Sequence, residues 1–325
     1  MKLTRRCFVH LAAGAASIHA LPRAARAQAY PTRPVTVMVF VGPGGTPDII
    51  ARLIGQSLSQ RLGQSVVIDN RPGAGGNLAL QAVARAPADG HTLLLIATPH
   101  AVNVTLYPNQ AISVARDIVP VASIDNDAFA MVVTPSLPVR TVSEFIAYAK
   151  ANPGKLNMPS SGSGNLSHLA GELFKMMTGT ELVHIPYRGM PAANTALMTG
   201  EAHVLFNALP SILPLIKDGK VRALGTTGAK RVPSLPDVPT VGESVPGYVV
   251  TCWLGLGVPK GTPPEIVEKL NKAMNDVLID PDTVTRLHNA GSELFSGSPA
   301  DFGKFIAAET EKWAKVVRFA NLKVE

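Results

Sequence analysis

Val35-Thr-Val-Met-Val-Phe-Val41 is an apolar, β-branched run that empties into Gly42-Pro-Gly-Gly-Thr-Pro-Asp48. Helical spacing of apolar residues begins at once behind it, at Ile49, Ile50, Leu53, Ile54, Leu58 and Leu62. A strand that meets a helix through a glycine turn predicts α/β layering. It also predicts where the first-turn N–H groups lie, free of intrahelical acceptors at the positive end of the helix dipole. Such a turn is a candidate anion-binding element, with a tight turn that binds nothing as the alternative. It is not a nucleotide element. The third glycine of a dinucleotide fingerprint falls on Pro47, a second candidate at Gly73-Ala-Gly75 fails at Leu78, and no Gly-Lys-Ser/Thr loop occurs.

The same grammar repeats along the chain. Val66-Val-Ile-Asp69 runs into Asn70-Arg-Pro-Gly-Ala-Gly-Gly-Asn77 and a small-residue helix over 78–85. Thr92-Leu-Leu-Leu-Ile-Ala97 is a buried strand, and short β runs separated by helices argue for parallel layering. After residue 125 the pattern restarts with Ala130-Met-Val-Val133 and a helix opened by the capping box Thr141-Val-Ser-Glu144. Leu156-Asn-Met158 then leads through Pro159-Ser-Ser-Gly-Ser-Gly-Asn165 into a helix over 167–178. Further strands are expected over 182–185, 202–206, 222–226 and 248–258, with late helices capped at Thr262 and Ser298.

Residues 1–27 read as a secretory leader. Lys2, Arg5 and Arg6 precede an Ala-rich apolar run, and Ala25-Arg-Ala27 is a small-x-small cleavage pattern. Thr4-Arg-Arg-Cys-Phe-Val9 resembles a twin-arginine signal, with an ordinary Sec signal as the alternative. The leader also accounts for the basic balance. Without it 25 Lys+Arg face 23 Asp+Glu, too even for nucleic-acid binding. Only Cys252 remains beyond Cys7, so no internal disulfide is expected. No later apolar run is long enough to span a bilayer.

Hydroxyls of Ser160, Ser161 and Ser163, set among flexible Gly162 and Gly164 before a helix, suit hydrogen bonds to a carboxylate. Gly-x-Ser-x-Gly is absent. His91, His100, His168, His184, His203 and His288 show no metal spacing, so neither metal nor cofactor is expected. His168 lies in the first turn of the helix behind the serine loop, aimed at a ligand or packed. Asp48 either stabilises its own helix start or orders the glycine loop through backbone N–H groups. Arg188 is a candidate charge partner for an anion. Trp253 and Trp313 are expected in the core.

From about Tyr30 onward the chain resembles the substrate-binding proteins of tripartite tricarboxylate transporters, the Bug or TctC-like receptors. The markers are Pro31-Thr-Arg-Pro34, Pro43-Gly-Gly-x-x-Asp48-x-x-Ala-Arg52, Asn70-Arg-Pro-Gly-Ala-Gly-Gly-Asn77 and Ala88-Asp-Gly90. They continue with Ser161-Gly-Ser-Gly164, His168-Leu-Ala-Gly-Glu-Leu-Phe174 and His184-Ile-Pro-Tyr-Arg-Gly189. Leu235-Pro-Asp-Val-Pro-Thr-Val-Gly242 and Trp253-Leu-Gly-Leu-Gly-Val-Pro259 complete the set.

The resemblance implies a type II periplasmic-binding-protein fold, two α/β lobes joined by crossing hinge strands near 121–127 and 249–254. Lobe 1 would comprise 28–125 plus 253–325, and lobe 2 would comprise 126–252. It implies a periplasmic receptor, monomeric and not an enzyme. The receptor would capture a small organic carboxylate and deliver it to membrane transporter subunits. A secreted α/β hydrolase of esterase type and an orphan ligand sensor are the alternatives. Carried onto this sequence, the site comprises Phe40, Gly42, Pro43, Gly44, Gly45, Thr46 and Asp48 from the first loop. Thr98, Ser160, Ser161, Gly162, Ser163, Gly164, His168, Tyr187, Arg188 and Asn207 complete it. Ala196 and His203 stand where relatives commonly carry acids, and Pro191 comes one place early.

Overall fold

The computed structural model describes residues 30–323. The expected leader and its cleavage site lie outside the described residues. The chain opens with β1 (Val35–Val39), α1 (Thr46–Leu62), β2 (Val66–Asn70), a 3-10 turn (Ala74–Gly76), α2 (Asn77–Ala84), β3 (Thr92–Ala97) and α3 (Thr98–Leu106). A single turn, α4 (Val114–Asp117), leads into the 16-residue strand β4 (Ile118–Val133). Next come α5 (Val142–Ala151), β5 (Leu156–Ser160), α6 (Leu166–Thr178), β6 (Leu182–Pro186) and α7 (Met190–Thr199). β7 (Val204–Ala208), α8 (Leu209–Lys217), β8 (Arg222–Thr226) and α9 (Val241–Ser244) follow. β9 (Thr251–Pro259), α10 (Pro264–Leu278), α11 (Pro281–Asn289) and α12 (Pro299–Phe319) complete the order.

The sheet runs β2-β1-β3-β9-β4-β7, with β8 also on β4. Residues 118–128 of β4 pair with β9, and residues 129–133 lie between β7 and β8. Two groups of strands therefore share one long strand. Register shifts between Pro120 and Ala122 and between Ser123 and Asp125 mark bulges, which bend and twist a strand. The fold is mixed α/β, as the sequence indicates, but the expected parallel layering holds only in part. β1 is parallel to β2 and β3, and β5 to β6, whereas β9 is antiparallel to both β3 and β4. The reason is connectivity. A chain that leaves the first strand group on β4 and returns on β9 crosses in opposite directions.

Thr141 caps α5 and Ser298 caps α12 as expected, accepting from Glu144 N–H and Asp301 N–H. Thr262 does not cap α10. Its hydroxyl donates to Pro259 O at 2.7 Å, and the helix begins at Pro264, which removes one of the first-turn donors that a cap would serve. No described helix is long and apolar enough to cross a membrane.

The two tryptophans are fully buried and joined by one carboxylate. Glu309 of α12 accepts Trp253 Nε1–H at 3.2 Å and Trp313 Nε1–H at 2.9 Å. Lys312 contacts the same carboxylate and donates to Val249 O at 3.0 Å. Packed on α3, β4 and α6, α12 spans both strand groups.

β4 also carries Asp125 and Asp127, two residues apart on one face. Asp125 accepts Leu254 N–H at 2.9 Å and Ser292 Oγ–H at 3.0 Å, and Asp127 accepts Glu293 N–H at 2.6 Å. Burial raises both carboxyls, and the neighbouring Asp125 charge raises Asp127 further. Both Asp125 oxygens already accept, so the retained proton belongs on Asp127. An acid raised in the folded state keeps its proton where the unfolded chain has lost it. Stability is then fullest near pH 4 and falls as pH rises toward the raised values. We expect wild type to lose melting temperature between pH 5 and 9, and Asp127→Asn to flatten that loss. The variant should melt about 3 °C or more above wild type at pH 9, the scale of a ~1 kcal/mol change in a chain this large. Parallel melting curves for the two proteins across this range would sink the account of a proton retained on Asp127.

Candidate functional site

A cavity of about 650 Å³ opens where the two strand groups meet, at the carboxyl ends of β1, β3, β5 and β7. Open α/β sheets place ligands there, because the chain turns from strand to helix at these edges. First turns and N-caps of six helices contribute walls: Thr46 of α1, Gly76 before α2, Thr98 and Pro99 of α3, Leu166 and Ser167 of α6, Met190 of α7, and Ala208 before α8.

The N-caps of these helices are Gly45, Gly76, Ala97, Asn165, Gly189 and Ala208, and none of them caps its helix with a side-chain oxygen. Away from the cavity, α5, α11 and α12 are capped by Thr141, Asp280 and Ser298, whereas α4 and α10 also start without a side-chain cap. Uncapped helix starts leave N–H donors and positive dipole ends directed at one space. No Asp, Glu, Lys, Arg or His lines it among the described residues. An anion entering it is met by backbone N–H groups, hydroxyls and amides. Phe40, Val102, Leu106, Phe129, Leu169 and Met190 supply apolar wall.

The first glycine loop is held from behind by Asp48, which is 2% exposed. Its carboxylate accepts Gly44 N–H at 2.9 Å, Arg52 Nε–H at 3.0 Å and Asn70 Nδ2–H at 2.9 Å. The Arg52 hydrogen bond, with those from Gly44 and Asn70, holds the Asp48 carboxyl down to about 2. Gly44 sits at φ 83°, a left-handed conformation that side chains resist. Thr46 is the residue of this loop that reaches the cavity, with Phe40 and Val41 preceding it. Gly42, Pro43, Gly44, Gly45 and Asp48 do not line it; Pro43 and Gly44 are exposed, and Asp48 holds the loop from behind.

The serine loop divides similarly. Ser161, Ser163 and Gly164 line the cavity. Ser160 is fully buried beneath the loop, with its Oγ 2.6 Å from His184 Nε2. His168 turns inward too. Its Nδ1 accepts Gly164 N–H at 3.1 Å, which leaves Nε2–H facing Glu172 at 3.4 Å, and its ring stacks on His184 at 3.5 Å between centroids. Burial, with His168 and Lys175 nearby, pushes the His184 imidazole down to about 4. Gly162 lies in the loop without forming wall. Of the remaining expected residues, Thr98 and Asn207 line the cavity. Tyr187 instead donates to Glu201 at 2.8 Å, and Arg188 is exposed to solvent.

Several walls escaped the sequence reading: Gly73, Gly75, Asn103, Tyr107, Phe129, Met190, Ser211 and Cys252. The glycine turn after β2 was visible as a second strand–glycine–helix junction, and that signal places Gly73–Gly76 here. Asn103 and Tyr107 stand four and eight residues after Pro99, the i+4 and i+8 spacing of one helical face, with Tyr107 just past the end of α3. Phe129 and Cys252 had no local signal, since they reach the cavity through β4 and β9. Burial pushes the Cys252 thiol up to about 12, so it presents S–H rather than thiolate.

Comparisons with known proteins agree with this fold. The profile described as "Tripartite tricarboxylate transporter family receptor" (TctC) matches residues 50–322. Protein BugT of Bordetella pertussis is 35% identical over 302 residues, covering 92% of this chain and 93% of BugT. The structure of Rpa4515 from R. palustris with adipate superposes with a TM-score of 0.74 at 40% identity, covering 90% of this chain and 99% of that one. MatC from Rhodopseudomonas palustris with bound malate gives a TM-score of 0.71 at 33% identity, covering 89% and 100%. The chain therefore belongs to the tripartite tricarboxylate transporter receptor family, the TctC or Bug-type solute-binding proteins with two lobes.

Proposed function

We propose that this protein is an exported receptor that captures a small organic dicarboxylate between its lobes and hands it to membrane subunits of the tripartite tricarboxylate type. Six helix starts without side-chain caps, converging on one uncharged cavity, carry this reading. Neutral donors bind an anion without the desolvation cost of a buried cation. Relatives solved with adipate and malate support the dicarboxylate class. The lobes would divide at 28–125 plus 253–325 and 126–252, with β4 and the return into β9 as hinge. Closure would bring Thr46 and Thr98 from one side and Ser161 and Ser163 from the other onto one carboxylate. A hydrolase reading loses support because the cavity serines have no wall imidazole or carboxylate beside them.

The test is titration calorimetry of the chain without residues 1–27, unfolded and refolded to remove carried ligand, against succinate, malate, adipate and matched amides. Binding of carboxylates and not amides is expected. No Asp, Glu, Lys, Arg or His lines the wall, so affinity should stay flat between about pH 7 and 8, where both ligand carboxyls are ionised, and fall as pH drops through the ligand's own two carboxyl pKa values, about 4 and about 5.5. Equal binding of acid and amide would reject the anion site. Ester hydrolysis abolished by Ser163→Ala would establish the enzyme instead.

A further inference from the structure

The uncharged cavity does not stand alone. Leu106, Tyr107, Ser163 and Gly164, which wall it, also wall a second void of about 380 Å³ whose far side is Asn321, Leu322 and Lys323. Leu106 and Tyr107, with Leu322 and Lys323, bound a third of about 680 Å³. Among the described residues lining the three voids, Lys323 is the one charged side chain.

Its position is set by how α12 ends. Asn321 adopts φ 49°, a left-handed turn that asparagine tolerates. Asn321 N–H returns to Arg318 O at 3.1 Å and Leu322 N–H to Val317 O at 3.0 Å. Leu322 then packs against the core, so the chain is pinned one residue before Lys323.

We propose, on the premise that the cavity takes a carboxylate, that Lys323 determines specificity by receiving the second carboxylate of a ligand that extends from the cavity past Leu106 and Tyr107. Six helix starts can satisfy one carboxylate. A second one held inside the same uncharged space would meet the repulsion of the first across a low dielectric and no cation. Moved outward past Tyr107, it reaches solvent and an ammonium on a flexible four-carbon stem, which adapts to different chain lengths. A monocarboxylate of equal length uses the same cavity and gains nothing from Lys323.

The experiment is calorimetric titration of wild type, Lys323→Gln, Lys323→Glu and Lys323→Arg. The ligands are the α,ω-dicarboxylates from succinate to suberate and the monocarboxylates of matching length. The glutamine variant should weaken the best-bound dicarboxylate by about fivefold, the scale of an exposed ion pair. Lys323→Glu should weaken it further, Lys323→Arg should restore it, and every monocarboxylate should stay unchanged. Raising salt should erase the wild-type advantage. Equal losses in the two ligand series, or no loss in either, would overturn the role of Lys323 while leaving the cavity reading intact. Wild type that binds neither series would overturn both.

Discussion

Asp48→Ala is expected to weaken carboxylate binding about tenfold and to destabilise the fold by about 2–3 kcal/mol, although Asp48 does not line the cavity. Its carboxylate gathers Gly44 N–H, the Arg52 guanidinium and the Asn70 amide behind the first glycine loop. Truncation leaves these donors, the Arg52 guanidinium half exposed, without their shared acceptor, and hydrogen bonds to a charged group are worth about 1.5–3 kcal/mol. It also frees a loop whose Gly44 holds an otherwise uncommon backbone conformation. Re-ordering one or two residues on binding costs about 1–2 kcal/mol, near tenfold in affinity. Asp48→Asn should fall between, since it still accepts from Gly44 but loses the charge facing Arg52. The pH dependence has a definite sign. A carboxyl lowered to about 2 contributes stability that is present above about pH 4 and lost as pH falls through 2. The stability gap between wild type and Asp48→Ala, measured by urea titration at several pH values, should therefore shrink on acidification. A constant gap at every pH would mean that packing, not charge, is what Asp48 supplies.

That loop was legible because its cues are adjacent in sequence: β-branched run, glycines, Pro at the helix start, apolar helical spacing. The support beneath it was legible only in type. Asp48 could be read as a first-turn acid or a loop organiser, and the structure gives it the second task through Asn70, 22 residues away. The first half of β4 shows where local reading stops. Pro120, Asp125, Asn126 and Asp127 interrupt any strand alternation. They are tolerated because Leu254 N–H and Ser292 satisfy Asp125, and Glu293 N–H reaches Asp127. Those partners lie 129, 167 and 166 residues away. α7 and α8 were hidden for another reason. Both are short and carry proline in the first turn, where it is tolerated, and α8 also carries Pro214 inside, so propensity opposes a helix there that the fold imposes. Ser160 and His168 were expected toward a ligand, and the structure turns both beneath the loop instead of into the cavity. Nothing local said that His184 would come from the next strand to take the Ser160 hydroxyl and stack on His168.

Glu309→Leu should be the most damaging single change away from the cavity, at about 3–5 kcal/mol. Its carboxylate is the common acceptor of Trp253 and Trp313, both fully buried, and the partner of Lys312, which is 21% exposed. Leucine fills the volume but leaves two indole N–H groups unpaired at about 1–3 kcal/mol each, and a half-buried cation without its anion. Glu309→Gln keeps one acceptor oxygen, so it should lose roughly half as much. Urea unfolding would read both as lower midpoints at an unchanged slope, and midpoints equal to wild type would dismiss the cluster as a stabilising element. The consequence reaches the ligand. Trp253 N–H donates to Thr98 Oγ at 3.3 Å, and Thr98 is cavity wall at the start of α3. α12 thus fixes β9 through Trp253, and β9 fixes the cavity through Thr98. A chain with Glu309→Leu that still folds should bind carboxylates more weakly than wild type. The same substitution combined with Thr98→Val should cost less affinity than the two losses added, because both act through one contact.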